Sequence, residues 1–314
     1  AAQLGVPANP PEAALATRDK SLLRRLLSQS GLPQPRWAAW RLGEPAPDVG
    51  LPCVVKPKDL SASFGVIRAD TRDQEISAGK RVRRLLAERG LEGDGELLVE
   101  SFVPGPEIAV EGLLRDGELV PLAVYDKPVP LEGPYFEESV YQLPSRLAAA
   151  DQGAVVEVLA AAATALGLRH GAIHAEFRLG TGSPTLIDLA SRSIGGRCSS
   201  VLHFASGATL EELVLLNALG DPLPDTRLDP EPSGVLMLSA PIAGRLASIE
   251  GRERALAVPG VVGLEITAVP GAVVGAAPAS DRYLGFVFAR ASTTGAVHQA
   301  LVGARAELKI SIAP

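Results

Sequence analysis

Residues 170–192 run HGAIHAEFRLGTGSPTLIDLASR, two alternating segments around a Gly/Ser/Pro turn. Strand geometry sends successive side chains to opposite faces. His174, Glu176 and Arg178 therefore share one face, while Ile173, Ala175, Phe177 and Leu179 share the other, apolar one. The turn material is Gly180-Thr181-Gly182-Ser183-Pro184. A hairpin centred on Gly182 sets Arg178 opposite Leu186 and Glu176 opposite Asp188. Directly opposed side chains have Cβ atoms about 4.5–5.5 Å apart. Two carboxylates that close repel unless a proton or a cation lies between them. Hard oxygen donors suit Mg²⁺, which binds through one or two carboxylates plus substrate phosphates. The alternative is a solvated surface pair in a looser register. Arg192 follows four residues later, just before Gly195-Gly196. A fixed guanidinium there can stabilise charge on a transferring phosphoryl group, or be an ordinary surface arginine.

Upstream, Leu51 to Lys56 (LPCVVK) is a short apolar strand ended by Pro57. A lysine closing a buried strand is costly unless it reaches an anion; otherwise it snorkels to water. The small loop Ser61-Ala62-Ser63-Phe64-Gly65 follows, and its backbone N–H groups can fold over phosphates. Neither GxxxxGK[ST] nor GxGxxG occurs, which excludes a Walker A loop and a dinucleotide fingerprint. Only six lysines occur (Lys20, Lys56, Lys58, Lys80, Lys127, Lys309), against 30 Lys plus Arg in all. In a chain that prefers arginine, each lysine in an apolar setting is a candidate point charge for phosphate.

The 314 residues are 46% hydrophobic and 21% charged, with net charge −6. This is a globular composition with a prior of about two domains. The acidic balance argues against a dedicated nucleic-acid binder. No apolar run reaches the roughly 18 residues of a membrane span, and no export signal is visible. Two cysteines, Cys53 and Cys198, make no disulfide framework, and a reducing cytoplasm fits. The only methionine is Met237, and the chain opens on AAQLGVPANPPEAA. The expectation is that an N-terminal domain has been removed or is not shown.

Periodicity predicts a helix over 18–30 stopped by Gly31, a charged helix near 73–89 and a strand over 97–103. It predicts a hairpin over 107–126 turning at Asp116-Gly117, and an Ala-rich helix over 154–167. A capping box from Thr209 to Glu212 opens a helix ending near Gly220. The Pro-rich segment 221–233 reads as a linker. Residues 234–314 read as a small α+β unit.

Taken in order, Arg18-Asp19-Lys20, Val54-Val55-Lys56-Pro57, Ser61–Gly65, Glu100-Ser-Phe-Val-Pro-Gly-Pro-Glu107, His174-Ala-Glu176 and Leu186-Ile-Asp188-Leu-Ala-Ser-Arg192 resemble the ATP-grasp superfamily. Each motif is weak; the ordered set, across about 17–200, is specific. The group it looks most like is the L-amino-acid ligases and dipeptide ligases. The resemblance implies an α+β ATP-grasp fold, two α+β subdomains gripping ATP, with a C-terminal α+β subdomain and the family's N-terminal domain largely absent. The implied divisions are 1–45, the end of that domain and a linker helix; 46–97, the small lid subdomain; 98–220, the large subdomain with the metal site; and 221–314, linker and C-terminal subdomain.

The resemblance also implies roles. Lys20 and Lys56 would hold ATP phosphates, and Ser61, Ser63, Phe64 and Gly65 would close over them. Glu100, Ser101 and Val103 would form the hinge along adenine, with Ser101 and Val103 using backbone groups, and Glu107 would take the ribose hydroxyls. Lys127 is a weaker phosphate or substrate candidate. Glu176 and Asp188 would bind Mg²⁺, with Mn²⁺ the alternative ion. Arg192 and Glu176 would be catalytic, and His174, Arg192, Gly195 and Gly196 would touch substrate. Two departures stand out: Asp188 where the family usually has Glu, and Ala190 where many members have an Asn ligand. The implied activity is ATP-dependent amide formation between a small-molecule carboxylate and an amine, both of them amino acids in this group, through an acyl phosphate. The implied protein is a cytoplasmic enzyme, with a homodimer expected.

Two alternatives stay open. One is a carboxylase or purine-pathway ligase of the same superfamily; the other is an ATP-binding module without catalysis. A zinc pair of His170 and His174 is disfavoured because their spacing falls in strand-like sequence. A Cys198/His203 nucleophile is outweighed by a buried, inert thiol. Trp37 and Trp40 read as packing residues, and Asp126 as a hairpin-end residue.

Overall fold

The computed structural model describes residues 6–313 except Glu92, Thr181 and Asp281. Thr181 of the expected turn and residues 1–5 of the opening segment thus lie outside the described residues. The chain opens with α1 (Pro11–Ala16) and α2 (Lys20–Gln29). Asp19 caps α2 by accepting from the Ser21 and Leu22 N–H groups, the first-turn donors that a helix cannot satisfy internally.

A four-stranded antiparallel sheet follows, in the order β1-β4-β2-β3. Its strands are β1 (Trp37–Arg41), β2 (Cys53–Pro57), β3 (Ile67–Ala69) and β4 (Glu96–Ser101), with α3 (Arg72–Glu88) between β3 and β4. Val82, Leu85 and Leu86 of α3 pack on Val55, Leu97 and Val99. The Trp40 ring lies so close over Gly79 that a Cβ there would sit 2.4 Å from it. Only glycine lets α3 come down on that ring.

The large sheet has eight strands in the order β12-β14-β10-β7-β6-β5-β8-β9. Its first members are β5 (Glu107–Arg115), β6 (Glu118–Lys127) and β7 (Val140–Leu143). After α4 (Ala149–Ala165) come β8 (Gly171–Arg178) and β9 (Thr185–Ala190). After α5 (Leu210–Leu219) come β10 (Ser233–Leu238), β11 (Gly244–Glu250), α6 (Arg252–Leu256) and β12 (Val261–Ile266). The chain closes with β13 (Val273–Val274), β14 (Gly285–Arg290), α7 (Thr294–Glu307) and β15 (Lys309–Ala313). Strands β13, β11 and β15 form a separate three-stranded sheet.

The β5–β6 turn is Asp116-Gly117, both at positive φ (54° and 95°), as a type I′ hairpin requires. Ile173, Ala175 and Phe177 of β8 pack against Leu23 and Leu27 of α2 and Val155, Leu159 and Ala162 of α4. That apolar stripe frees the other face of β8 for polar side chains. Glu176 does face Asp188, but Arg178 faces Thr185 rather than Leu186, because β9 carries a bulge after Asp188. The extra residue, Ile187, shifts the register beyond it by one.

The sheets cut across the expected divisions. Strand β1 and the end of β4 belong to the small sheet. Strands β10, β12 and β14 extend the large sheet because β10 pairs with β7 on one side and β14 on the other. Helix α1 and strands β1 and β7 were not anticipated from sequence, and α4 begins five residues before its expected start.

Thr209 and Glu212 complete the anticipated capping box of α5, and Gly220 ends it at φ 77°. Thr209→Ala is expected to cost about 1 kcal/mol, read as a lower denaturation midpoint. An unchanged midpoint would show that packing alone holds this helix.

Candidate active site

A cavity of about 430 Å³ is lined by the small sheet, the large sheet and the C-terminal unit together. The small sheet and its loops contribute Val54, Lys56, Ser61, Ala62, Ser63 and Glu100 to Val103. The large sheet contributes Glu107, His174, Glu176, Arg178 and Asp188, and the segment after β9 contributes Arg192. Met237, Tyr283 and Phe286 come from the C-terminal part.

Lys20 stands where three segments meet. Its Nζ donates to the Leu60 carbonyl at 2.8 Å and lies 3.4 Å from Asp188 Oδ2. Its N–H donates to the Lys58 carbonyl. The cation is thus held beside both the 61–65 loop and the metal-candidate carboxylate.

Lys56 lies 2.7 Å from Glu100 Oε2, and Arg24 Nε donates to Glu100 Oε1 at 2.6 Å. Burial pushes the Lys56 ammonium below its usual value. Burial acts to raise the Glu100 carboxyl, but Arg24 and Lys56 overcome it and hold it at about 2. Glu100 is therefore the counter-ion that positions Lys56, and not a free group beside adenine. A carboxylate depressed in the folded state stabilises the fold above its unfolded value and loses that contribution as pH falls through the folded value. Wild-type stability is expected to fall between about pH 5 and pH 2. In Glu100→Gln that part of the slope should vanish, as denaturation across this range will read. An identical pH slope in the variant would refute it.

Several expected residues stand elsewhere. The Phe64 side chain is buried in the small-sheet core with the Arg89 guanidinium 4.2 Å from its ring centroid. The Gly65 N–H donates to the Pro278 carbonyl at 2.7 Å. Neither residue lines the cavity, unlike Ser61 and Ser63. The Ser101 N–H is spent on the Arg36 carbonyl, which leaves Val103 as the hinge candidate not committed in that way. Lys127 lies behind the wall, its Nζ 2.5 Å from Glu107, 3.3 Å from Glu138 and 3.3 Å from Glu176. It is a buried counter-cation for three carboxylates and does not face the cavity. Glu107 lines the cavity with both oxygens engaged, by Lys127 and by Arg178 Nε at 2.7 Å.

On the polar face of β8, His174 Nδ1 is 3.3 Å from Glu111 Oε2 and Nε2 is 3.7 Å from Glu176 Oε1. Burial opposes its charge, yet the two carboxylates push the imidazole up to about 9. His174 is thus a cation at neutral pH. His170 lies instead beside Asp116, 4.0 Å away. Burial opposes ionisation of Glu176, but Lys127 and His174 hold its carboxyl well below the usual range. Burial raises Glu138 in spite of Lys127.

Glu176 and Asp188, paired across the strands and both lining the cavity, are a hard-oxygen donor pair that fits Mg²⁺. Among the described residues no group of three or more His, Cys, Asp or Glu can hold a metal. The remaining ligands would have to come from phosphate and water. Arg192 is exposed, lines the cavity and donates to the Ser193 carbonyl. Gly195 and Gly196 line it too. The Cys198 thiol, also on the wall, is pushed well up by burial, which suits an inert group.

Sequence reading missed Arg24, Glu111 and Glu138. Lys20 and Arg24 are four apart and so share one face of α2, a signal that could have found the second. Glu138 precedes the unanticipated β7. Its Oε1 accepts from Tyr141 at 2.7 Å and its Oε2 from Tyr283 at 3.2 Å.

Residues 49–201 match the ATP-grasp domain model, and residues 236–313 match L-amino acid ligase C-terminal domain 2. An uncharacterized protein of Sinorhizobium fredii, y4rH, is 26% identical over 98% of this chain and 64% of its own length. Alanine–anticapsin ligase of Bacillus subtilis is 28% identical over 59% of this chain and 43% of its own length. The chain thus spans less than two thirds of each of these relatives. The crystal structure of an L-amino acid ligase from Bacillus licheniformis superposes with a TM-score of 0.85 at 26% identity, over 100% of this chain and 77% of that one. Among the described residues no helix is long and apolar enough to cross a membrane. The two matches follow one another in sequence order, and with the superposition they show that this chain has the ATP-grasp fold followed by a segment similar to the C-terminal domain 2 of L-amino acid ligases.

Proposed function

We propose that this protein is an ATP-dependent carboxylate–amine ligase that joins amino acids. The observation that carries this reading is the single cavity in which Lys20, Lys56, Glu176, Asp188 and Arg192 converge from three segments of the chain. A carboxylate oxygen of one amino acid attacks the γ-phosphorus of ATP, and the bond to ADP breaks. The amine of a second amino acid then attacks the acyl carbon, phosphate leaves, and the amine loses a proton to give an amide. Phosphoryl transfer asks mainly for positioning and charge neutralisation. Lys20 and Lys56 would hold phosphate oxygens. Lys56 is kept in place for this by Glu100, and Lys20 by the Leu60 carbonyl. Arg192, with its guanidinium at the cavity, would stabilise charge on the transferring group. Mg²⁺, when held by Glu176 and Asp188, would neutralise phosphate charge. The cationic His174 would attract the carboxylate of a substrate. Water must be kept from an acyl phosphate, and the 61–65 loop, docked on Pro278, closes one side. The reading includes a cytoplasmic homodimer without nucleic-acid or membrane partners.

The test is ADP release with Mg-ATP against single and paired amino acids, with mass detection of products. Release that needs two amino acids, with a product lighter than their sum by one water, supports the ligase. ATP binding with no stimulation by any amino acid overturns it. Stimulation by bicarbonate or a ribonucleotide would instead assign a carboxylase or purine-type ligase.

A further inference from the structure

Glu111 stands on β5 directly opposite His174 of β8, which in turn faces Ala190 of β9. These three make one row across the polar face, beside the row of Ala109, Glu176 and Asp188. Glu111 is fully buried and lies behind the cavity wall rather than in it. Its Oε2 is 3.3 Å from His174 Nδ1 and accepts from the Ile194 N–H at 3.1 Å. Its Oε1 has no hydrogen-bond partner among the described residues. Ile194 belongs to the irregular segment 192–196 that follows β9. Arg192, Ile194, Gly195 and Gly196 of that segment all line the cavity. Among the described residues, no other hydrogen bond joins 192–196 to the large sheet. A buried carboxylate with an unpartnered oxygen is costly, and an apolar residue often serves stability as well at such a place. Burial accordingly pushes the Glu111 carboxyl up, against the pull of His174 and the Ile194 N–H. Stability alone gives little reason for a carboxylate here.

We propose that Glu111 is a positioning residue for phosphoryl transfer: one buried oxygen fixes the backbone of 192–196, and with it Arg192, against the His174 ring beside Glu176. This rests on the ligase reading. Arg192 is exposed, and its guanidinium donates within its own segment, to the Ser193 carbonyl. Where its charge stands is therefore set by the backbone that carries it. Misplacing a group by about 1 Å, even through a change away from the chemistry, can cost about 10²-fold in rate. Lys20 and Lys56 are held by the Leu60 carbonyl, Asp188 and Glu100 rather than by Glu111. A change at 111 thus moves Arg192 and leaves the lysines in place.

The experiment measures kcat and KM for ATP by amino-acid-stimulated ADP release, with a thermal melt to show that each variant is folded, in wild type, Glu111→Gln and Glu111→Leu. Both contacts use one oxygen, which the glutamine carbonyl oxygen can replace, so this variant should keep most of kcat. Leucine removes the acceptor, and kcat should fall by about tenfold or more with KM for ATP unchanged. Glu111→Met, unbranched and of similar length, replaces the leucine variant if that one fails to fold. A folded apolar variant with wild-type kcat overturns the inference, as does one in which KM for ATP rises and kcat holds. A glutamine variant that loses as much kcat as the apolar one overturns it too, because the charge and not the contact would then matter. Failure of both apolar variants to fold makes Glu111 part of the core and also overturns it. All these outcomes leave the ligase reading intact. Absence of stimulation by any amino acid in wild type overturns the ligase reading and the inference with it.

Discussion

Replacing Arg24 with leucine is expected to destabilise the protein by about 3–5 kcal/mol, the cost of removing one partner from a buried ion pair. Arg24 is fully buried and has a partner for each nitrogen. Its Nε donates to Glu100 at 2.6 Å, its Nη1 to the Leu186 carbonyl at 3.1 Å, and its Nη2 to the Ile187 carbonyl. Those two carbonyls belong to the bulge of β9. One guanidinium therefore ties α2, the small sheet and the strand that carries Asp188. Without it Glu100 keeps only Lys56, and two carbonyls lose a donor at roughly 1–3 kcal/mol each. Denaturation at neutral pH measures the loss. Arg24→Leu/Glu100→Leu, which removes both charges of the pair, should recover part of it, although Lys56 is then left without its counter-ion. A single-variant loss below about 1 kcal/mol would show that the pair is tolerated rather than needed.

The second large effect concerns Glu176→Gln. The exchange keeps size and shape and removes one negative charge from the cavity. On the ligase reading, turnover at saturating ATP and Mg²⁺ should fall by about 10²–10³, the scale seen when a preorganised charge-stabilising group is lost. Stability should change far less, because Lys127 keeps Glu107 at 2.5 Å and Glu138 at 3.3 Å. Steady-state ADP release and a thermal melt on the same preparation separate the two quantities. Near-normal turnover in the variant would remove Glu176 from the site. A collapsed melt would make it part of the core instead.

The two variants divide along a line that also separates what could and could not be read in advance. Alternation along 170–192 was enough to place Glu176 opposite Asp188, because strand periodicity and a Gly-rich turn are local. The same reasoning put Arg178 opposite Leu186, and the bulge at Ile187 moved it to Thr185. A bulge has no strong sequence mark, so a register carried past it fails. Strand β7, only four residues long, hid in a Pro-rich stretch, and with it went Glu138. Lys127 looked like a phosphate ligand because rarity and an apolar setting were visible. The three carboxylates around it come from β5, β8 and the segment before β7, and no spacing along the chain brings them to notice.

Legible along the chain were the ordered set of motifs, the polar face of β8, the Asp116-Gly117 turn and the capping box of α5. All of these depend on contacts within a few residues or on order along the chain. Which charges are free to meet a ligand depends on contacts between distant segments. Glu100 and Lys127 are spent on buried partners, Phe64 is turned into the core, and Glu111 is brought to Ile194 from 83 positions away in the chain. The physical reason is that burial and pairing set the cost and availability of a charge, and both are properties of neighbours that the fold alone assembles.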